Sequence, residues 1–200
     1  MKKTQQLIII IFSIGLFTSS CSSDDSNNSG QNTNSTFTLN GFEYATPNGY
    51  FTHQSNDGTG YKNLIILTNG VVLSDPFDAD TLNANEFSSN TSNIIVFTIN
   101  SSSTNEITEG TYILDNTNHD GIGNLYWTTL ITGITIQNNL IDSYNYESYT
   151  SNNSSNPIVT GSITIAKNQN NYEITYILNQ NNAVINGSFS GLLSDLEYSE

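Results

Sequence analysis

The chain has 200 residues, 36% hydrophobic and only 11% charged, with 18 acidic residues against four lysines and no arginine, giving a formal net charge of −14 at pH 7. That balance excludes nucleic acid as a partner, because an acidic chain without Lys/Arg clusters repels phosphate backbones. It also excludes a disordered acidic tail: there is apolar material for a core, and Ser, Thr and Asn, about two-fifths of the residues, carry the solubility that charge usually supplies.

The first twenty residues read as an export signal. Lys2 and Lys3 give a positive start, residues 7–17 (LIIIIFSIGLF) an apolar core, and the small residues Ser19 and Ser20 precede Cys21, the single cysteine of the chain. The apolar core falls short of the roughly 20 residues a membrane-spanning helix needs. The stretch LFTSSC resembles the lipobox of bacterial lipoproteins, with Thr18 where Leu is usual. Residues 22–26 (SSDDS) resemble the Ser-plus-acidic export tag of Bacteroidota surface lipoproteins. This resemblance implies a signal peptide over 1–20, cleavage before Cys21, acylation of its thiol and of the new amino group, and display on the outer face of the outer membrane. At about 0.8 kcal/mol per buried methylene, one acyl chain holds marginally and two or more hold firmly.

Residues 22–35 are almost all Ser, Asn, Asp, Thr and Gly. Such a segment has nothing to bury against its ordering entropy and is expected to act as a tether, its r.m.s. span on the order of 20 Å. A single domain is expected over residues 36–200; outside the signal, two lysines, Lys62 and Lys167, face all 18 acidic residues, for a net charge of about −16.

Period-2 patterning dominates this domain. Asn40-Gly41 and Asn69-Gly70 each sit between short apolar runs and predict tight hairpins, over residues 36–46 and 63–74, because Asn and Gly tolerate positive φ. Further strands are expected over 94–100, 111–114, 125–136, 140–149, 158–167, 172–178 and 183–193. The last three form an antiparallel meander with Ile163, Ile165, Tyr172, Ile174, Tyr176, Ile185, Gly187 and Phe189 facing inward. No stretch after the signal has a helical apolar stripe. About ten strands at this spacing predict an all-β, antiparallel β-sandwich; a closed lipocalin-like barrel is the alternative.

Chemistry-bearing residues are sparse. The connection over residues 74–93 gathers Asp75, Asp78 and Asp80, with Glu86 further on; such carboxylates could take Ca²⁺, but their spacing matches no calcium loop, and a solvated connection with Pro76 as turn former and Phe77 and Phe87 pinning it is the preferred reading. Residues Asn116, Asn118, Asp120 and Gly121 fit the opening of an EF-hand loop, but its twelfth position is Trp127 and not the bidentate Glu that closes the shell. His119 beside Asp120 lacks a nucleophile partner, and GSFSG at residues 187–191 places Phe189 where a nucleophilic Ser would stand. Thr81, in Asp80-Thr81-Leu82, resembles the O-glycosylation acceptor of exported Bacteroidota proteins.

Aromatic residues give the binding expectation. Tyr126, Trp127, Tyr144, Tyr146 and Tyr149 fall near loops or strand ends, where amphipathic rings suit a sugar or a protein surface. The reading is therefore a lipid-anchored, non-enzymatic binding or adhesion module for a glycan or protein partner. The alternatives are a hydrolase acting through two carboxylates across a cleft and a structural envelope protein without a small ligand.

Overall fold

The computed structural model describes residues 35–56, 60–73, 84–103, 106–114, 121–138, 140–148 and 157–196. Twelve strands account for most of them: β1 (Thr36–Leu39), β2 (Phe42–Ala45), β3 (Asn48–Asn56), β4 (Tyr61–Thr68), β5 (Asn93–Ser101), β6 (Gly110–Leu114), β7 (Leu125–Gln137), β8 (Leu140–Ser148), β9 (Ile158–Asn168), β10 (Asn171–Gln180), β11 (Val184–Gly191) and β12 (Leu193–Asp195). One 3₁₀ turn lies at Ala84–Glu86. The strands form two six-stranded sheets, in the orders β2-β1-β11-β10-β9-β6 and β12-β3-β4-β5-β7-β8. Neither sheet closes on itself, so the architecture is a β-sandwich and not a barrel.

The two sheets differ in a way written into their residues. In the first sheet, β10 alternates burial strictly along almost its whole length, and β9 and β11 follow the same period. One face of this sheet packs inward and the other meets water. In the second sheet, β4 runs Leu-Ile-Ile-Leu without alternation and all nine residues of β5 are buried. A continuous apolar run means a strand covered on both faces. Accordingly, there are two clusters. The larger fills the space between the sheets, with Ile65, Phe97 and Leu130 of the second sheet facing Ile163, Ile174, Tyr176 and Phe189 of the first. The smaller lies outside the second sheet, where Val72 and Phe87 fold down over Leu64, Ile66, Ile94, Val96 and Ile131. Each such fully buried side chain contributes about 1.5–3 kcal/mol relative to exposure.

The meander of the last strands has the expected inward set. Ile163, Ile165, Tyr172, Ile174, Tyr176, Ile185 and Phe189 are all buried. Gly187 pairs with Tyr176 across β10 and β11, and the tyrosine ring lies over it. Phe97 packs against the same ring, centroid to centroid 4.8 Å.

The Asn40-Gly41 hairpin forms as expected: β1 and β2 pair in register, with φ of 53° at Asn40 and 82° at Gly41. Asn69-Gly70 does not make a hairpin, which corrects the expectation for residues 63–74. Both sides of β4 are already taken, by β3 and β5, so a returning strand has no free edge to pair with. Residues 71–73 instead cross the outside of the second sheet and pair with residues 86–88, through Leu73 N–H to Glu86 O (2.7 Å), Ser88 N–H to Val71 O (2.9 Å) and a Val72–Phe87 bridge. Asn69 anchors this crossing. Its Oδ1 accepts from the N–H groups of Ser92 (2.9 Å) and Asn93 (3.1 Å), and its Nδ2 donates to Asn90 O (3.2 Å) and Ser92 Oγ (3.1 Å).

Two further differences concern strand count. Residues 48–56 form β3, which the turn-like sequence Pro47-Asn48-Gly49 conceals. The final expected strand divides at Leu192: β11 stays in the first sheet, while β12 crosses to the second and pairs with β3 in parallel, the one parallel strand pairing of the sandwich as described.

Candidate binding face

The outward residues of the first sheet line up in two cross-strand rows. Strand register places Thr111 opposite Thr164, Thr164 opposite Thr175, Thr175 opposite Ser188 and Ser188 opposite Thr36, on β6, β9, β10, β11 and β1 in turn. All five carry a hydroxyl. The neighbouring row reads Ile113, Ser162, Ile177, Asn186, Thr38 and, on β2, Glu43. Adjacent strands lie about 4.7–4.9 Å apart, and residues two apart along a strand about 6.7 Å, so the rows form a lattice about 19 Å long over five strands.

These side chains face solvent. Thr111, Thr164, Thr175 and Asn186 are exposed, Thr36, Thr38, Ser162 and Ser188 half-buried. Ile113 and Ile177 are 55% and 51% exposed. They stand two strands apart, so the second row alternates apolar and polar positions over β6, β9, β10 and β11, and continues polar through Thr38 and Glu43. A shallow depression of about 290 Å³ lies between the rows where they cross β9, β10 and β11, lined by Thr164 and Thr175 on one side, Ser162, Ile177 and Asn186 on the other, and Tyr176 and Gly187 between them. Within the first row the Thr111 and Thr164 hydroxyls are 3.0 Å apart and share a hydrogen bond. Glu43 closes one end of the second row. Glu173, further along β10, accepts a hydrogen bond from Ser190 Oγ. The rows themselves otherwise carry no charge, in a chain that is strongly acidic elsewhere.

Four of the five aromatic residues singled out from the sequence, Tyr126, Trp127, Tyr144 and Tyr146, lie on the second sheet. Tyr126 sits at an irregularity where β7 passes β5, since Thr98 pairs with Trp127 and Ile99 with Leu125. The Lys62 ammonium lies 3.9 Å from the Tyr126 ring centroid, a cation–π contact. Trp127 is half-buried and packs against the outer cluster. Tyr144 is 52% exposed on β8. Tyr146 is opposite Ile131 in the backbone register. Register separates Trp127 from Tyr144 by about six residues along the β7–β8 ladder, on the order of 20 Å. Tyr149 lies outside the described residues, as do Cys21, Asp75, Asp78, Asp80, Thr81, Asn116, Asn118, His119 and Asp120. Among the described residues, no three His, Cys, Asp or Glu side chains gather as a metal site, and no helix is long and apolar enough to cross a membrane.

His53, the described histidine, belongs to a polar closure at one end of the core. Its Nδ1–H donates to Asn63 Oδ1 (2.6 Å), while Asn63 Nδ2 donates to Ser101 Oγ (2.6 Å) and Ser103 O (3.2 Å). Asn63 is fully buried. Spending both ends of its amide this way fixes the His53 tautomer and removes the desolvation cost of a bare buried amide.

The hydroxyl rows were not singled out from the sequence, although their signal is there. Once Ile163, Ile165, Ile174, Tyr176, Ile185 and Phe189 are assigned inward, period 2 sends Ser162, Thr164, Thr175, Ile177, Asn186 and Ser188 outward. What the sequence withholds is the register that brings them side by side. Compared with protein-family models, with curated proteins and with solved structures, the chain matches none of them.

Proposed function

We propose that this chain is a non-enzymatic binding module, moored to the outer membrane through lipid on Cys21, that recognises an uncharged glycan at the outward face of the first sheet. The observation that supports it is the in-register pair of rows, from Thr111 to Thr36 and from Ile113 to Thr38. Hydroxyls and an amide offer both donors and acceptors to sugar hydroxyls, and the isoleucines offer apolar surface to C–H faces. Protein hot spots are instead enriched in Trp, Tyr and Arg, and neither row holds one. With a net charge of about −16 outside the signal, an anionic polymer would be repelled.

The test is a glycan array probed with the full chain in detergent at low and high salt. Neutral glycans should be retained with little salt dependence, because no ion pair is involved. Absence of binding to every neutral glycan refutes the proposal.

A further inference from the structure

Building on that proposed glycan reading, we infer that the ligand is a single extended chain of β-1,4-linked neutral sugars lying across the strands, along the two rows. In such a polymer each sugar advances by close to one strand spacing, and successive sugars are turned over relative to each other. Every second sugar therefore presents the same edge. The second row has this period from β6 to β11: Ile113 and Ile177, on β6 and β10, are separated by β9, which contributes Ser162, and Asn186 follows on β11, with Thr38 closing the row on β1 as a hydroxyl. Two strand spacings are about 9.5 Å, close to the disaccharide repeat of an extended β-1,4 chain. C–H faces of alternate sugars then rest on the two isoleucines, while Ser162 and Asn186 meet the hydroxyls of the sugars between. The first row supplies hydroxyls from Thr111 to Thr36 along the other flank. An α-1,4 chain coils and cannot keep this step.

The lattice also sets the length and form of the ligand. Five strands give about five sugar positions. Because neighbouring strands rotate by roughly 20–25°, the rows trace a twisted ribbon that accepts one free chain and not the flat face of a crystal.

The experiment is calorimetric titration of the full chain in detergent with cellohexaose, mannohexaose and maltohexaose, followed by shorter β-1,4 oligomers, Ile177→Ser and Thr175→Ala. Both residues are exposed, and an unchanged urea midpoint establishes that each variant is folded. The β-1,4 hexaoses should bind at least about tenfold more tightly than maltohexaose, the affinity should climb to about the pentaose and then level, and Ile177→Ser should lose about tenfold, the scale of a lost apolar contact. Microcrystalline cellulose should leave the protein in the supernatant. Equal binding of maltohexaose, or β-1,4 binding indifferent to Ile177→Ser, overturns the inference while array binding to other neutral glycans leaves the broader reading standing. Failure on every glycan of the array removes both.

Discussion

Gly187→Ala is the sharpest test of how the first sheet packs against the second. An added Cβ would lie 2.2 Å from Tyr176 Cζ and 2.3 Å from its oxygen, far inside van der Waals contact. The ring has little room to retreat, since it is 2% exposed and Phe97 lies against it with centroids 4.8 Å apart. Overpacking of this kind costs about 1–3 kcal/mol, against which alanine returns about 0.4–1 kcal/mol by restricting the unfolded chain. A net loss of about 1–2 kcal/mol follows. With a urea slope of about 2 kcal/mol/M, the midpoint drops by about 0.5–1 M, and Trp127, the single tryptophan, reports it by fluorescence. In a Tyr176→Val background the obstacle is gone and the same alanine should be neutral or mildly stabilising, a coupling of about 1–3 kcal/mol between the two positions. An unchanged midpoint for Gly187→Ala, or an equal loss in both backgrounds, would refute the packing argument.

Alkaline stability should depend on the same tyrosine. Burial holds the Tyr176 phenol far above the usual tyrosine range; the nearby Thr46 hydroxyl opposes this only weakly, because neither oxygen makes a well-formed hydrogen bond among the described residues. Tyr112 is raised in the same direction by burial, opposed by its bond to Thr108. Above pH 10 the unfolded chain gives up tyrosine protons that the fold retains, so stability is complete below that pH and falls above it, by about 1.4 kcal/mol per pH unit for Tyr176. Urea midpoints from pH 8 to 11.5 should show that decline, and Tyr176→Phe should flatten it; a pH-independent midpoint in the parent chain contradicts the assignment. Asn69→Ala removes four hydrogen bonds to residues 90–93 and should cost about 1–3 kcal/mol, with faster amide exchange confined to residues 84–92. Uniform acceleration over both sheets would speak against a local anchor. Cys21→Ala should move the chain from the membrane pellet to the soluble fraction on fractionation, and retention in the pellet would end the lipid-anchor reading.

The fold was largely legible because burial period and chain chemistry agree. Ile163 through Phe189 alternate cleanly, while the Leu-Ile-Ile-Leu run of β4 carries the signal of a strand covered on both faces, although the turn dipeptide after it predicts a hairpin over residues 63–74. Asn40-Gly41 formed its turn, whereas Asn69-Gly70 did not, although the two dipeptides are identical. The difference is tertiary: β1 had a free side for β2, while β4 lies between β3 and β5. At Gly70 the demand for glycine comes from contact, since an added Cβ would lie 1.7 Å from Thr91 Oγ1, and this cannot be read from neighbouring residues. β3 was hidden because Pro47-Asn48-Gly49 resembles a turn. The candidate face was legible one strand at a time and illegible as a surface, since Thr111 and Thr36 are joined only through the register of three intervening strands.

The separation of inward and outward residues on β9, β10 and β11 has an evolutionary consequence. Because Thr164, Thr175, Ile177 and Asn186 support no part of the interior, natural variation can rewrite them with little penalty to folding. Related chains would then be expected to diverge fastest on this plane while their hidden isoleucines stay fixed, so that one scaffold could supply a repertoire of recognition specificities.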